Sequence, residues 1–288
     1  MRIRTVAATI ATLLTLAACA DATPPAGSGD AGGIEHSTAP DHVLVRVAWE
    51  GGFVPVDYTY TNLPLFSLFG DGKIVVPGAQ IEIYPSPALP AISERTVDDA
   101  GIQSILREAI DATADIPDDL DDMGMVMIAD APTTVITISV DEMDRTVRVY
   151  ALGEMTERPE GMPEDVYRAR QDLQELVTKL TGLDAWLPEG SLGPEDAYAS
   201  AAARLILPDR GPVEDLPQEP IAWPLTQPLA TFGEPAGVAG YRCGVVQGDE
   251  WATVEAEAMH ANQLTPWVDG DVSSTILFRP LLPDETGC

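Results

Sequence analysis

Apolar residues recur along this chain at two periods, and the alternation of those periods outlines its elements. His42-Val43-Leu44-Val45-Arg46-Val47-Ala48-Trp49 is β-rich and stops at Gly51-Gly52, which predicts a strand. Leu65–Phe69 and Lys73–Val76 flank Gly70-Asp71-Gly72, where Asp-Gly supplies the positive φ angles of a tight hairpin turn. Gln80–Tyr84 reads as a further short strand. After Asp98 and Asp99, Ile102, Ile105, Leu106, Ala109 and Ile110 fall on one face of a helix. The order then returns: Thr133–Val140 and Arg145–Tyr150 read as strands around a turn at Asp141–Asp144. A helix from Glu164 to Thr181 follows, with Val166, Leu173, Leu176, Val177 and Leu180 inward and Gly182 as its stop.

The expected fold is therefore α+β, an antiparallel sheet built from hairpin-helix units with the helices on one face. No residue repeat links the two copies, so the echo is one of topology. From Pro188 to Pro235 nine prolines crowd the chain, which predicts an irregular connector broken by a short Ala-rich helix at Pro194–Leu205. A strand at Tyr241–Val246, a helix at Asp249–Gln263 and a strand at Thr275–Arg279 predict a smaller C-terminal α+β unit. The resulting division is 1–18 leader, 19–41 tether, 42–187 N-terminal α+β domain, 188–235 connector and 236–288 C-terminal unit packed on the first domain.

The first residues say where such a domain would reside. Arg2 and Arg4 precede an apolar run from Val6 to Leu16, which ends in Leu16-Ala17-Ala18-Cys19. This is the pattern of a bacterial lipoprotein signal peptide, cut before a lipidated Cys19. The apolar run falls short of the ~20 residues a membrane span needs. Ala20 to Asp41 is Ala, Thr, Pro, Gly, Ser and Asp around an isolated Ile34, a composition that predicts a disordered tether. As a flexible coil it would average ~25 Å end to end.

Charge narrows the partners. Without residues 1–18 the chain keeps 14 basic residues against 46 acidic ones, a formal charge of −32. Nucleic acid is bound through Lys and Arg that release counterions, and anionic lipid through polybasic patches. Both are excluded as partners, so contact with the bilayer runs through the acyl chains on Cys19. With Cys19 lipidated, Cys243 and Cys288 are the remaining pair, and an exported chain sits where disulfides persist.

Several stretches resemble a group of uncharacterised exported lipoproteins from actinobacteria and similar high-GC bacteria. They are Phe66–Gly72, Pro77–Pro85, Ala129–Thr134, Tyr150–Gly153, Ala261–Trp267 and Phe278–Pro283. The resemblance implies an extracytoplasmic, membrane-anchored location and the two-cysteine pattern only, and says nothing about activity. More loosely, the hairpin-helix plan with Asp130 and Pro132 ahead of a strand is similar to small envelope domains.

The chemistry-bearing residues are sparse. Gly-x-Ser-x-Gly, Walker, His-Glu-x-x-His and Cys-x-x-Cys motifs are all missing from the sequence, and its histidines number three. Asp119, Asp121, Gly124 and Asp130 match positions one, three, six and twelve of a calcium loop, but Met123 stands where an oxygen ligand is required. A solvated acidic loop fits them better. Glu257 and His260 share a helix face, two ligands where a structural zinc needs four. Asp269-Gly270-Asp271 reads as a turn. Trp49, Trp223, Trp251 and Trp267 suit a core, or a sugar or peptide groove. The expected function is a non-catalytic binding or interaction module of the cell envelope, with no cofactor and with an envelope protein or small ligand as partner. The alternative is a carboxylate-based hydrolase acting on cell-wall material, which two carboxylates in a deep cleft would favour.

Overall fold

The computed structural model describes residues 33–116, 120, 128–155, 157–211 and 215–288. Strand β1 (Val43–Glu50) leads into the short helix α1 (Val56–Thr61), then into β2 (Phe66–Phe69), β3 (Lys73–Pro77), β4 (Ile92–Thr96) and helix α2 (Asp99–Thr113). The hairpin β5 (Thr133–Val140) and β6 (Met143–Tyr150) precedes helix α3 (Glu164–Thr181). Next come β7 (Asp196–Ala197), β8 (Ala202–Pro208), β9 (Ile221–Ala222), β10 (Glu234–Pro235), β11 (Tyr241–Gln247) and helix α4 (Gly248–Ala258). The chain closes with β12 (Trp267–Asp269), β13 (Val272–Ser274) and β14 (Leu277–Pro280).

Among the described residues these strands form a seven-stranded sheet β6-β5-β1-β2-β3-β4-β7, a four-stranded sheet β10-β11-β8-β14 and a three-stranded sheet β13-β12-β9. All described pairs are antiparallel except β9 with β12. The protein is thus mixed α+β with mostly antiparallel sheets. A fourth strand, β4, stands between the β2–β3 hairpin and α2.

Strand alternation decides what each face of the large sheet covers. Phe66, Leu68 and Ile74 point into a core with Ile102, Ile105, Leu106 and Ala109 of α2 and Leu173, Leu176 and Leu180 of α3. Each such side chain taken from water contributes about 1.5–3 kcal/mol, so α2 and α3 are held chiefly by this layer. Asp98 caps α2, its carboxylate accepting the Gly101 N–H at 2.9 Å. The intervening residues Phe69 and Val75 face the other way and pack with Ile92 and Leu282. Leu282 belongs to a C-terminal strap, Leu281–Cys288, that runs back over this second face. Asp284 of the strap accepts two 2.7 Å bonds from Arg46 on β1, and Tyr198 donates to the Leu281 carbonyl at 2.8 Å.

A second core lies around the four-stranded sheet, where Trp223 meets Phe232 and Trp267 edge-on at 5.1 and 6.3 Å between ring centroids. Trp251 and Phe278 complete it. Cys243 on β11 and Cys288 at the end of the strap are joined by a disulfide with Cα atoms 6.0 Å apart.

Three expectations change. The Pro194–Leu205 helix is absent: β7 pairs with β4, and β8 lies centrally between β11 and β14. The Ala run favours a helix locally, but Leu205 and Leu207 gain a buried strand position, and tertiary pairing outweighs propensity. The 188–235 stretch accordingly carries β7 to β10, and Ile34–Cys288 cluster as one compact unit. Gln80–Tyr84 forms no strand: Pro77 and Pro85 bracket it, and the Ile83 N–H turns back onto the Ile81 carbonyl. Within the expected tether, residues 34–41 are tied to the fold in part: Ile34 lies against the α2–α3 core, and its N–H and C=O bond the two ends of the Gln103 amide at 2.7 and 2.9 Å. Residues 19–32 lie outside the described residues.

The β2–β3 turn gives a sharp test. Gly72 has φ +83°, and a Cβ there would stand 2.3 Å from the Val97 carbonyl oxygen. Gly72→Ala is expected to cost about 2–3 kcal/mol, from left-handed strain and the clash together. Urea unfolding of the variant measures it, and a loss below about 1 kcal/mol would mean the turn re-forms freely.

Candidate functional site: a groove beside helix α1

Helix α1 begins after Pro55, carries Asp57 in its first turn, and buries none of its side chains. A helix of this length gains little from its own hydrogen bonds. Partners brought from afar hold it. Asp57 accepts a 2.6 Å bond from Arg210 and a 2.9 Å bond from the Tyr241 hydroxyl. Tyr60 stacks on Tyr241 with centroids 5.2 Å apart, and its hydroxyl accepts the Val238 N–H at 3.0 Å. Burial and the adjacent Asp57 carboxylate push the Tyr241 phenol up from its ordinary pKa, so it stays a neutral donor.

The Gly78–Ala91 loop stands opposite. At its base the Gln80 side chain donates to the Ala91 carbonyl at 2.9 Å. Further along, Ser86 donates to the Gln263 side chain at 2.7 Å, the Gln263 N–H to the Ser86 carbonyl, and the Ala88 N–H to the Ala261 carbonyl. Between those anchors Ile81, Ile83 and Tyr84 are 64, 56 and 68% exposed, and Phe53, just before α1, is 83% exposed. Between the two walls runs a groove of about 530 Å³, floored by Ile276, Leu277 and Phe278 and sided by Tyr58, Pro87 and Pro90. A hollow of about 340 Å³ adjoins it, sharing Asp57, Gln263 and Leu277 and adding Tyr84 and Arg210. The groove and hollow are therefore lined by apolar and aromatic side chains, Tyr58 and Tyr84 among them, with a few polar groups already fixed by one another, which is the general make-up of a binding surface.

A second cleft, of about 480 Å³, holds carboxylates. Glu195, Asp196 and Glu255 line it with Ser93 and Tyr198. Glu195 accepts the Ser93 hydroxyl at 2.7 Å, and burial pushes the Glu255 carboxyl above its usual range. Burial, with Glu94 and Glu285 nearby, pushes the Tyr198 phenol up to about 12. Below pH 10 that phenol is neutral whether the chain is folded or unfolded. Between pH 10 and 12 only the unfolded chain ionises it, so stability falls as pH rises through that window. Tyr198→Phe is expected to blunt this alkaline loss, read as the change in urea midpoint between pH 9 and pH 11. An unchanged pH dependence would remove Tyr198 as its source.

The residues singled out by sequence are distributed otherwise. Cys243 and Cys288 form the disulfide. Cys19, Asp119 and Asp121 lie outside the described residues, and Asp130 is an exposed left-handed residue whose carbonyl accepts the Phe53 N–H. Glu257 and His260 are both exposed, and among the described residues no group of three His, Cys, Asp or Glu could hold a metal. Asp269-Gly270-Asp271 is the β12–β13 turn, and Asp269 accepts the Leu229 N–H at 3.0 Å. Trp223, Trp251 and Trp267 are core, while Trp49 is 42% exposed. No described helix is long and apolar enough to cross a membrane. Sequence reasoning missed Asp57, Arg210 and Tyr241. Its one available signal was the pair Tyr58 and Tyr60 in a polar stretch between two strands.

No protein-family model matches this chain, and no curated protein or solved structure is significantly similar to it.

Proposed function

We propose that this chain is an extracytoplasmic lipoprotein, anchored through acyl chains on Cys19, whose folded part is a non-catalytic binding module of the cell envelope. The α1 groove is its binding surface. The observation that carries the reading is a groove lined by exposed Tyr58 next to a hollow lined by exposed Tyr84, with polar groups that are already engaged. Within this reading, β2–β3 with α2 and β5–β6 with α3 are two hairpin-helix units, and the disulfide closes a smaller C-terminal unit. The test places a photo-crosslinking residue at Tyr84 of the lipidated protein in native membranes. A discrete adduct that disappears with Tyr58→Ala supports the module, and labelling that ignores that substitution counts against it.

The second reading, a carboxylate-based hydrolase of cell-wall material, rests on Glu195 and the raised Glu255 in one cleft. It requires release of soluble fragments from purified cell wall, abolished by Glu255→Gln. Wall left intact by the wild-type protein ends it.

A further inference from the structure

We infer that the α1 groove takes an extended, cationic stretch of another polypeptide, added as a further strand on the outer edge of β14. This rests on the binding-module reading and names its occupant. β14 is the terminal strand of the four-stranded sheet, paired on one side with β8. Backbone groups alternate in direction along a strand: Leu277 and Arg279 face β8, so Phe278 turns its N–H and C=O outward, where no described strand pairs with them, while Pro280 has no N–H and its carbonyl accepts from Arg279. That edge is not out in open solvent. Ile276, Leu277 and Phe278 form the floor of a slot, the groove between α1 and the Ser86–Pro90 segment. Farther along the strand, Arg279 donates to the Asn62 carbonyl at 2.9 Å, which closes the slot at that end. A strand laid there turns every second side chain toward Tyr58, Pro87 and Leu277 and the others toward solvent.

Charge selects among the occupants. The chain carries a formal −30. A second copy of it, or an acidic bilayer, meets like charge, whereas a segment with Lys or Arg at its outward positions is drawn in. The partner segment thus alternates apolar residues with basic ones.

The test pans a random dodecapeptide phage library on the mature lipidated chain in detergent, with the Tyr58→Ala/Tyr84→Ala protein as counter-selection. Both positions are exposed, so the variant keeps the fold, which its unchanged melting temperature verifies. The selected peptide is then resynthesised in two series, N-methylated at odd or at even amides. Expected are enriched peptides alternating apolar and basic residues, binding about tenfold or more weakly to the variant. One N-methyl series loses binding and the other keeps it. Amide exchange at Phe278 slows on binding. Failure to enrich any peptide over the variant, or equal binding by both series, overturns strand addition. If the Tyr84 crosslinker still captures a partner through the groove, the binding module stands and only this occupant falls.

Discussion

Glu285→Ala is expected to lower the unfolding free energy by about 3–5 kcal/mol, because it leaves a buried guanidinium without its counter-charge. Arg279 on β14 is 2% exposed. It donates to the Asn62 and Pro280 carbonyls, and to Glu285 at 2.8 Å. Burial lowers its pKa while Glu285 raises it, so the carboxylate is what offsets the loss of water. The other Glu285 oxygen accepts the Leu282 N–H at 2.8 Å and shapes the strap. Glu285→Gln keeps most of the hydrogen bonding and loses the charge, so it should fall between wild type and alanine. Arg279→Met combined with Glu285→Leu should recover most of the stability, since neither charge then remains to be desolvated. Urea unfolding at constant m-value separates these cases. A loss under about 1 kcal/mol for Glu285→Ala would mean that Arg279 reaches water once the strap loosens.

Breaking the disulfide is the second large effect. The loop between Cys243 and Cys288 spans 45 residues, for which chain entropy gives about 4 kcal/mol at most. The native strap keeps other anchors when the bond is gone: Leu282 packs with Phe69, Val75 and Ile92, and Asp284 grips Arg46. The reduced protein should therefore still fold, with a lower urea midpoint. The paired substitutions Cys243→Ser and Cys288→Ser should match reduction, and a reduced protein as stable as the oxidised one would show that the bond constrains nothing. Disulfide and Glu285 act on the same strap, so their combined loss should differ from the sum of the single losses.

Elements set by local signals could be read along the chain. The apolar stripe of α3 gives its bounds from Glu164 to Thr181, and the Asp-Gly turn marks the β2–β3 hairpin. The disulfide followed from counting cysteines. Where a distant partner decides, the sequence is silent. The Ala run ahead of β8 looks helical until β11 and β14 pair with that strand. The groove is less legible still: Asp57 meets Arg210 across 153 residues and Tyr241 across 184. Neither contact leaves a spacing or a periodicity behind. Gln80–Tyr84 has the alternation of a strand, and only the prolines that bracket it foretell that it remains unpaired.

The grip of Gln103 on Ile34 has a mechanical side. A pull on the chain ahead of Ile34 loads two hydrogen bonds to one side-chain amide, then the Asp141 N–H bond to the Glu35 carbonyl. These give way one after another. β1, laddered on both sides by β2 and β5, resists as a block. Residues 34–41 would peel first and pay out ~27 Å of extended chain. Under load this segment is a shock absorber, lengthening before the core bears any strain.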